Sequence, residues 1–201
     1  MGYQTDVRVL TVSDENASDD NRIVEAARPD TTATLANTNF ASGGARNIIV
    51  TTTGTGDNGK TTTITGTDVF GNSLSETITS TSSAEAVAGS KLFLTVSAVE
   101  CSAKYAADIK VGSGTLCADS IGGGARVRLK GMSITSGGTA GTISFINGTP
   151  ETGTTLFKAR TIGTANDVVD RTIPAEGLLF ASGMSVSYTV DHADMMTFFF
   201  T

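Results

Sequence analysis

Residues 47–66 read NIIVTTTGTGDNGKTTTITG, and the fold follows from how that stretch is taken. Gly54, Gly59, Lys60 and Thr61 match the nucleotide-binding pattern G-x-x-x-x-G-K-[ST] letter for letter. The pattern functions when a buried strand precedes it and a helix follows, so that loop amides and the helix N-terminus cradle phosphates. Ile48-Ile49-Val50 can supply the strand. No helix can follow, because Thr61-Thr62-Thr63-Ile64-Thr65 is β-branched throughout and Gly66 arrives before two helical turns. The dinucleotide-type spacing Gly54-x-Gly56-x-x-Gly59 fails for the same reason. Asp57-Asn58-Gly59 is a turn signal, since Asn and Gly accept positive φ at low cost. The expected local structure is therefore a hairpin, with 60–65 paired back on 48–53.

Composition extends that reading to the whole chain of 201 residues. About one residue in six is Thr, which with Val and Ile favours strands throughout. Only 17% of residues are charged and the net charge is −6, so a nucleic-acid binder with a basic face is not expected. Neutral Thr, Ser and Gly surfaces suit packing against other proteins. No apolar run reaches the ~18 residues of a membrane helix. The opening MGYQTDVRVL lacks the basic-then-apolar pattern of a signal peptide, and Asp6 argues against a myristoylation site. Cys101 and Cys117 do not make a disulfide framework and are expected as reduced, partly buried thiols.

Along the chain, 7–12 alternates as a strand and 13–21 is an acidic loop without the spacing of a calcium-binding hand. RIVEAAR (22–28) is the one helix-like patch, closed by Pro29. Residues 1–46 are otherwise irregular and form a candidate arm. Strands are then expected at 74–79, 92–96 and 109–112, with turns at 68–72 and a small-residue loop over 80–90. Turns every 8–12 residues indicate a sandwich or barrel. Ile121-Gly122-Gly123-Gly124 introduces a second β region, with strands at 127–134, 142–146 and 155–159. The expectation is an all-β, sandwich or jelly-roll-like protein divided into 1–46, 47–120 and 121–201.

Chemistry-bearing residues are sparse. His192 lies between Asp191 and Asp194 with no nucleophile elbow, and is expected as a satisfied surface histidine. Two Cys and one distant His do not make a zinc site. Scattered acids leave glycosidase chemistry open, but 6% aromatics and no Trp give few sugar platforms. No enzyme, cofactor or metal is expected. Arg126, Arg128 and Lys130 alternate along a strand and place three cations on one face, either a solvated face or a patch for an acidic partner. Phe198, Phe199 and Phe200 cannot all face one core from a strand. Either Phe199 meets a neighbouring subunit or domain, or the strand is buried on both faces.

Longer runs carry a resemblance. ITGTDVFGNSLSETIT (64–79), GSKLFLTVSAVE (89–100) and DIKVGSG (108–114) resemble a module of tailed-bacteriophage structural proteins. There a TGTD-x-x-GN-x-x-ETIT hairpin precedes a K-x-F-x-x-V-x-x-I strand and a V-x-VG strand. RLKGMSITSGGTAGTISFINGTPETGTTLF (128–157) and IPAEGLLFASGMSVSYTVDHADMMTFFF (173–200) resemble small phage virion β-sandwich proteins. Val99 in place of Ile and the acidic first loop depart from the pattern. The resemblance implies a virion component. We expect a trimeric decoration or cement protein on the head, partnered by the major capsid protein and by its own copies, with no nucleic acid or membrane partner. A tail, neck or fibre part is the alternative, and a nucleotide-binding protein a weaker one.

Overall fold

Thr, Val and Ile populate pleated strands because branching at Cβ suits an extended backbone, and the chain obeys this almost everywhere. The computed structural model describes residues 7–13, 17–41, 44–81 and 85–201. They contain fifteen strands, one short 3-10 turn at Thr55–Asp57 and no α-helix, an all-β, sandwich-like architecture. The chain divides into two compact units, one of residues 1–15 with 118–201 and one of residues 16–117.

The first unit contains β1 (Arg8–Ser13), β9 (Val127–Ser136), β12 (Val168–Thr172), β13 (Leu178–Phe180) and β15 (Ala193–Phe200) in one antiparallel sheet. Its order is β1-β15-β9-β12, with β13 also on β9. A second set runs β11-β10-β14, from β10 (Ala140–Asn147), β11 (Thr154–Ile162) and β14 (Met184–Thr189). The two layers meet through aromatic side chains. Phe145 of β10 lies 5.8 Å edge-on from Phe198 of β15 and 5.3 Å from Phe157 of β11, within the range where aromatic pairs attract.

The second unit contains β2 (Asp19–Ala27), β3 (Ala45–Thr52), β4 (Thr61–Thr67), β5 (Ser73–Thr79), β6 (Ala86–Phe93) and β7 (Thr95–Cys101), with the start of β8 (Ile109–Ile121). β3 lies between β8 and β6, β2 pairs β8, and a separate sheet runs β5-β4-β7. Ile23, Ile48, Ile64, Phe93, Val99 and Ile109 belong to one buried cluster.

Several expectations are corrected. β3 and β4 do not form a hairpin: Ile49 and Val50 lie opposite Ala88 and Val87 of β6, while Thr61–Thr67 pairs with β5 and β7. The turn signal is real, but the Thr53–Lys60 connection is tied elsewhere, as shown below. RIVEAAR is not helical. Its residues 22–27 lie in β2, where Ile23 and Val24 are fully buried, and packing outweighs the helix preference of Glu25-Ala26-Ala27. The candidate arm over 1–46 holds, besides the strand expected at 7–12, which is β1 on β15, a second strand, β2 on β8. The strand expected at 92–96 breaks at Leu94, whose N–H donates to the Thr67 carbonyl at 2.8 Å, and β6 begins inside the expected 80–90 loop. The acidic stretch 13–21 begins in β1 and ends in β2, and its residues 14–16 lie outside the described residues.

Close backbone approach fixes Gly66. It sits at a register shift between β4 and β7, and a Cβ there would meet the Thr95 carbonyl oxygen at 1.9 Å. Gly66→Ala is expected to cost about 3 kcal/mol through forced backbone displacement. Gly138→Ala, where a Cβ meets nothing within 4 Å, should be nearly neutral. Urea denaturation of both variants checks the contrast.

Candidate functional site

The nucleotide-like motif folds into a structural clamp. Asp57, in the 3-10 turn, has a fully buried side chain, and Lys60 Nζ lies 2.7 Å from its Oδ1. The Ala106 and Ala107 amides donate to the same carboxylate at 2.6 and 3.2 Å. Lys60 also donates to the Lys104 carbonyl and lies 5.3 Å from the centre of the Tyr105 ring. The Gly59 amide donates to Ser80 O, and that of Lys60 to Asp57 O. A phosphate loop needs a free ammonium and outward-pointing amides. Here the ammonium is held by a carboxylate, a carbonyl and a ring face, and strand β4 follows it. The sequence matched because both a phosphate loop and this clamp need glycine-rich turns and a lysine.

Burial pushes the Asp57 carboxyl upward, but hydrogen bonds from Lys60, Ala106 and Ala107 outweigh it and hold the group below its ordinary 3.8. Asp119 goes the other way: burial raises it, and the 2.8 Å hydrogen bond from the Tyr188 hydroxyl only partly offsets this. Cys101 and Cys117 are buried and not joined in a disulfide, and burial raises the Cys101 thiol. His192 is not the surface histidine expected. It is half-buried against Gly141, and its buried Nδ1 has no hydrogen-bond partner among the described residues. Among the described residues no group of three or more His, Cys, Asp or Glu could hold a metal ion.

The expected interface residues separate into two kinds. Arg126, Arg128 and Lys130 come together around a surface hollow of about 340 Å³, with Glu176 beside them. Lys130 Nζ donates to the Glu176 carbonyl at 2.8 Å. Phe198 and Phe200 are buried in the core and are not interface residues, because alternation along β15 turns them inward. Phe199 points outward and is 38% exposed.

Phe199 belongs to a larger surface that the sequence did not reveal. Side chains directly opposite in an antiparallel pair share a face. The registers of β12, β9, β15 and β1 therefore build three rows: Thr172-Gly131-Phe199-Val9, Asp170-Ser133-Thr197-Thr11 and Val168-Thr135-Met195-Ser13. Val9, Val168, Met195 and Phe199, with neighbouring Val7, are between 38% and 58% exposed. Asp170 is the one charged member of the rows. Gly131 floors a hollow of about 620 Å³ between Phe199 and Thr172, with Val7, Lys130 and Arg171 at its rim. The surface is thus apolar and hydroxyl-rich, with cations at one end. β1, the strand expected at 7–12, supplies a quarter of it.

No family model, curated protein or solved structure matches the chain.

Lys60→Ala leaves the Asp57 carboxylate buried without its cation and is expected to cost about 3 kcal/mol. ATP with Mg²⁺ should leave the melting temperature of the wild type unchanged. Acid unfolding checks the carboxylates. The Asp57 contribution is fully present above 3.8, its ordinary value, and is lost as pH falls through its lower folded value; Asp57→Asn removes that loss. Asp119 contributes oppositely, costing stability as pH rises from 3.8 through its raised folded value. Asp119→Asn should therefore flatten the fall in stability above 3.8.

Proposed function

We propose that the chain is a structural protein of a tailed-phage particle, mounted on the assembled head as a decoration or cement protein. It works by binding, not catalysis. The observation that carries this reading is the outer face of the β1-β15-β9-β12 sheet, where apolar side chains stand exposed among Thr and Ser. Exposed apolar surface gathered on one face marks an interaction site. The sequence resemblance supplies the kind of particle, and the clamp around Lys60 removes the main support for a nucleotide enzyme.

The size of the face fits this role. Four strands about 4.8 Å apart and five residues long cover roughly 300–400 Å² in plan, about half of what each partner brings to a standard interface. One copy binding through this face alone would be held weakly. Many copies on a closed shell add, and a ligand that binds only the assembled lattice stabilises it by mass action. The Arg126, Arg128 and Lys130 cluster beside the face would steer it towards an acidic patch of the major capsid protein. Neighbouring copies and the capsid protein are the partners, and the virion is the location. Among the described residues no helix is long and apolar enough to cross a membrane.

The test is rebinding of purified chain to heads stripped of it. Phe199→Asp and Met195→Asp should weaken binding about tenfold or more, since each puts a charge into the apolar face. Ile162→Asp, exposed on β11 away from this face, should bind as the wild type does. Wild-type binding by both face variants would overturn the proposal.

A further inference from the structure

Strand β1 forms one end of its sheet. It pairs with β15 along Arg8–Ser13, and no strand among the described residues pairs with its other edge. A free edge presents a row of backbone donors and acceptors that only another extended strand can satisfy in sequence. Natural sheets protect such edges with charge. The other end strand of this sheet, β12, carries Asp170 and Arg171, and β11 of the companion set carries Lys158 and Arg160. β1 after Arg8 reads Val9-Leu10-Thr11-Val12-Ser13, with no charge. The edge that lacks protection is also the one beside exposed Val9 and Phe199.

We infer that the free edge of β1 pairs, antiparallel and about a two-fold axis, with β1 of a second copy of this chain. A two-fold axis is demanding, because it sets each residue near its own counterpart. A charged edge such as β12 or β11 would bring like charges together, which is unfavourable across strands. The neutral run of β1 meets no such penalty. In registers centred on Leu10 or Thr11, Leu10 and Val12 of both copies turn to the interior side, and Val9, Thr11 and Ser13 of both turn outward. The pair then carries one continuous outer face twice as wide, isologous as two-fold contacts must be. This replaces the three-fold arrangement expected from the sequence. It goes beyond the mounting proposal, which concerns the outer face of the sheet and not its edge.

The test is sedimentation of the full chain across a concentration series, in solution and without heads, so that its failure leaves the mounting proposal standing. The wild type should pass from monomer to dimer as concentration rises. Thr11→Lys and Thr11→Glu should each dimerise about tenfold more weakly, because like charges then sit across the axis. An equal mixture of the two should recover pairing at or above the wild-type level. Hydrogen exchange at the β1 amides of the wild type gives a reading that needs no variant: protection at 8–13 should rise with concentration. A wild type that stays monomeric, a trimer that both variants leave intact, or a mixture that pairs no better than its components would overturn the inference.

Discussion

Strand β9 is the element on which the first unit depends. It is hydrogen-bonded to β15 on one side and to β12 and β13 on the other, so its alternation sets the facing of every strand beside it. Val127, Leu129, Met132 and Ile134 turn inward and are buried. Between Leu129 and Met132 the spacing slips by one residue, and the register against β15 shifts between Phe199 and Phe200 at the same place. A one-residue slip without compensation would turn inward side chains out. The bulge absorbs it and keeps Phe198 and Phe200 inside on β15. It also sets Lys130 next to the buried Gly131, and Lys130 lines both the cationic hollow and the apolar one.

The second unit solves a different problem. Its connection between β3 and β4 joins strands that are not partners, so it cannot be a tight turn. A buried carboxylate holds it instead, taking Lys60 and two backbone amides from 106–107. Breaking such a buried pair is costly because the remaining charge is stranded. The same residues that look like phosphate chemistry in one dimension are a fastening in three.

Local chemistry made much of this legible. The β-branched run 61–65 ruled out a helix, the Asp68–Asn72 turn joins β4 to β5 as read, and of the two readings left open for 198–200 the structure has Phe199 turned outward. What failed was pairing over long range. Nothing in Ile49-Val50 says that its partner is Ala88-Val87 and not the Thr-rich run that follows a good turn signal. RIVEAAR misled because short apolar runs fit helix and strand alike, and only the pairing with β8 decides. The outer face was invisible for the same reason: Val9, Phe199, Gly131 and Thr172 come from four strands, and registers bring them into one row. The cation cluster, by contrast, is local in sequence, Arg128 and Lys130 on β9 with Arg126 just before it, and could be read directly.

As proposed, this chain is a high-copy part of the head, held by a modest face repeated many times. The most direct measurement is its copy number by quantitative mass spectrometry in purified particles, with heads and tails separated by shearing. Copies staying with the heads, in numbers comparable to the major capsid protein, are the predicted result. A few copies following the tails or necks, or none in the particle at all, would contradict it.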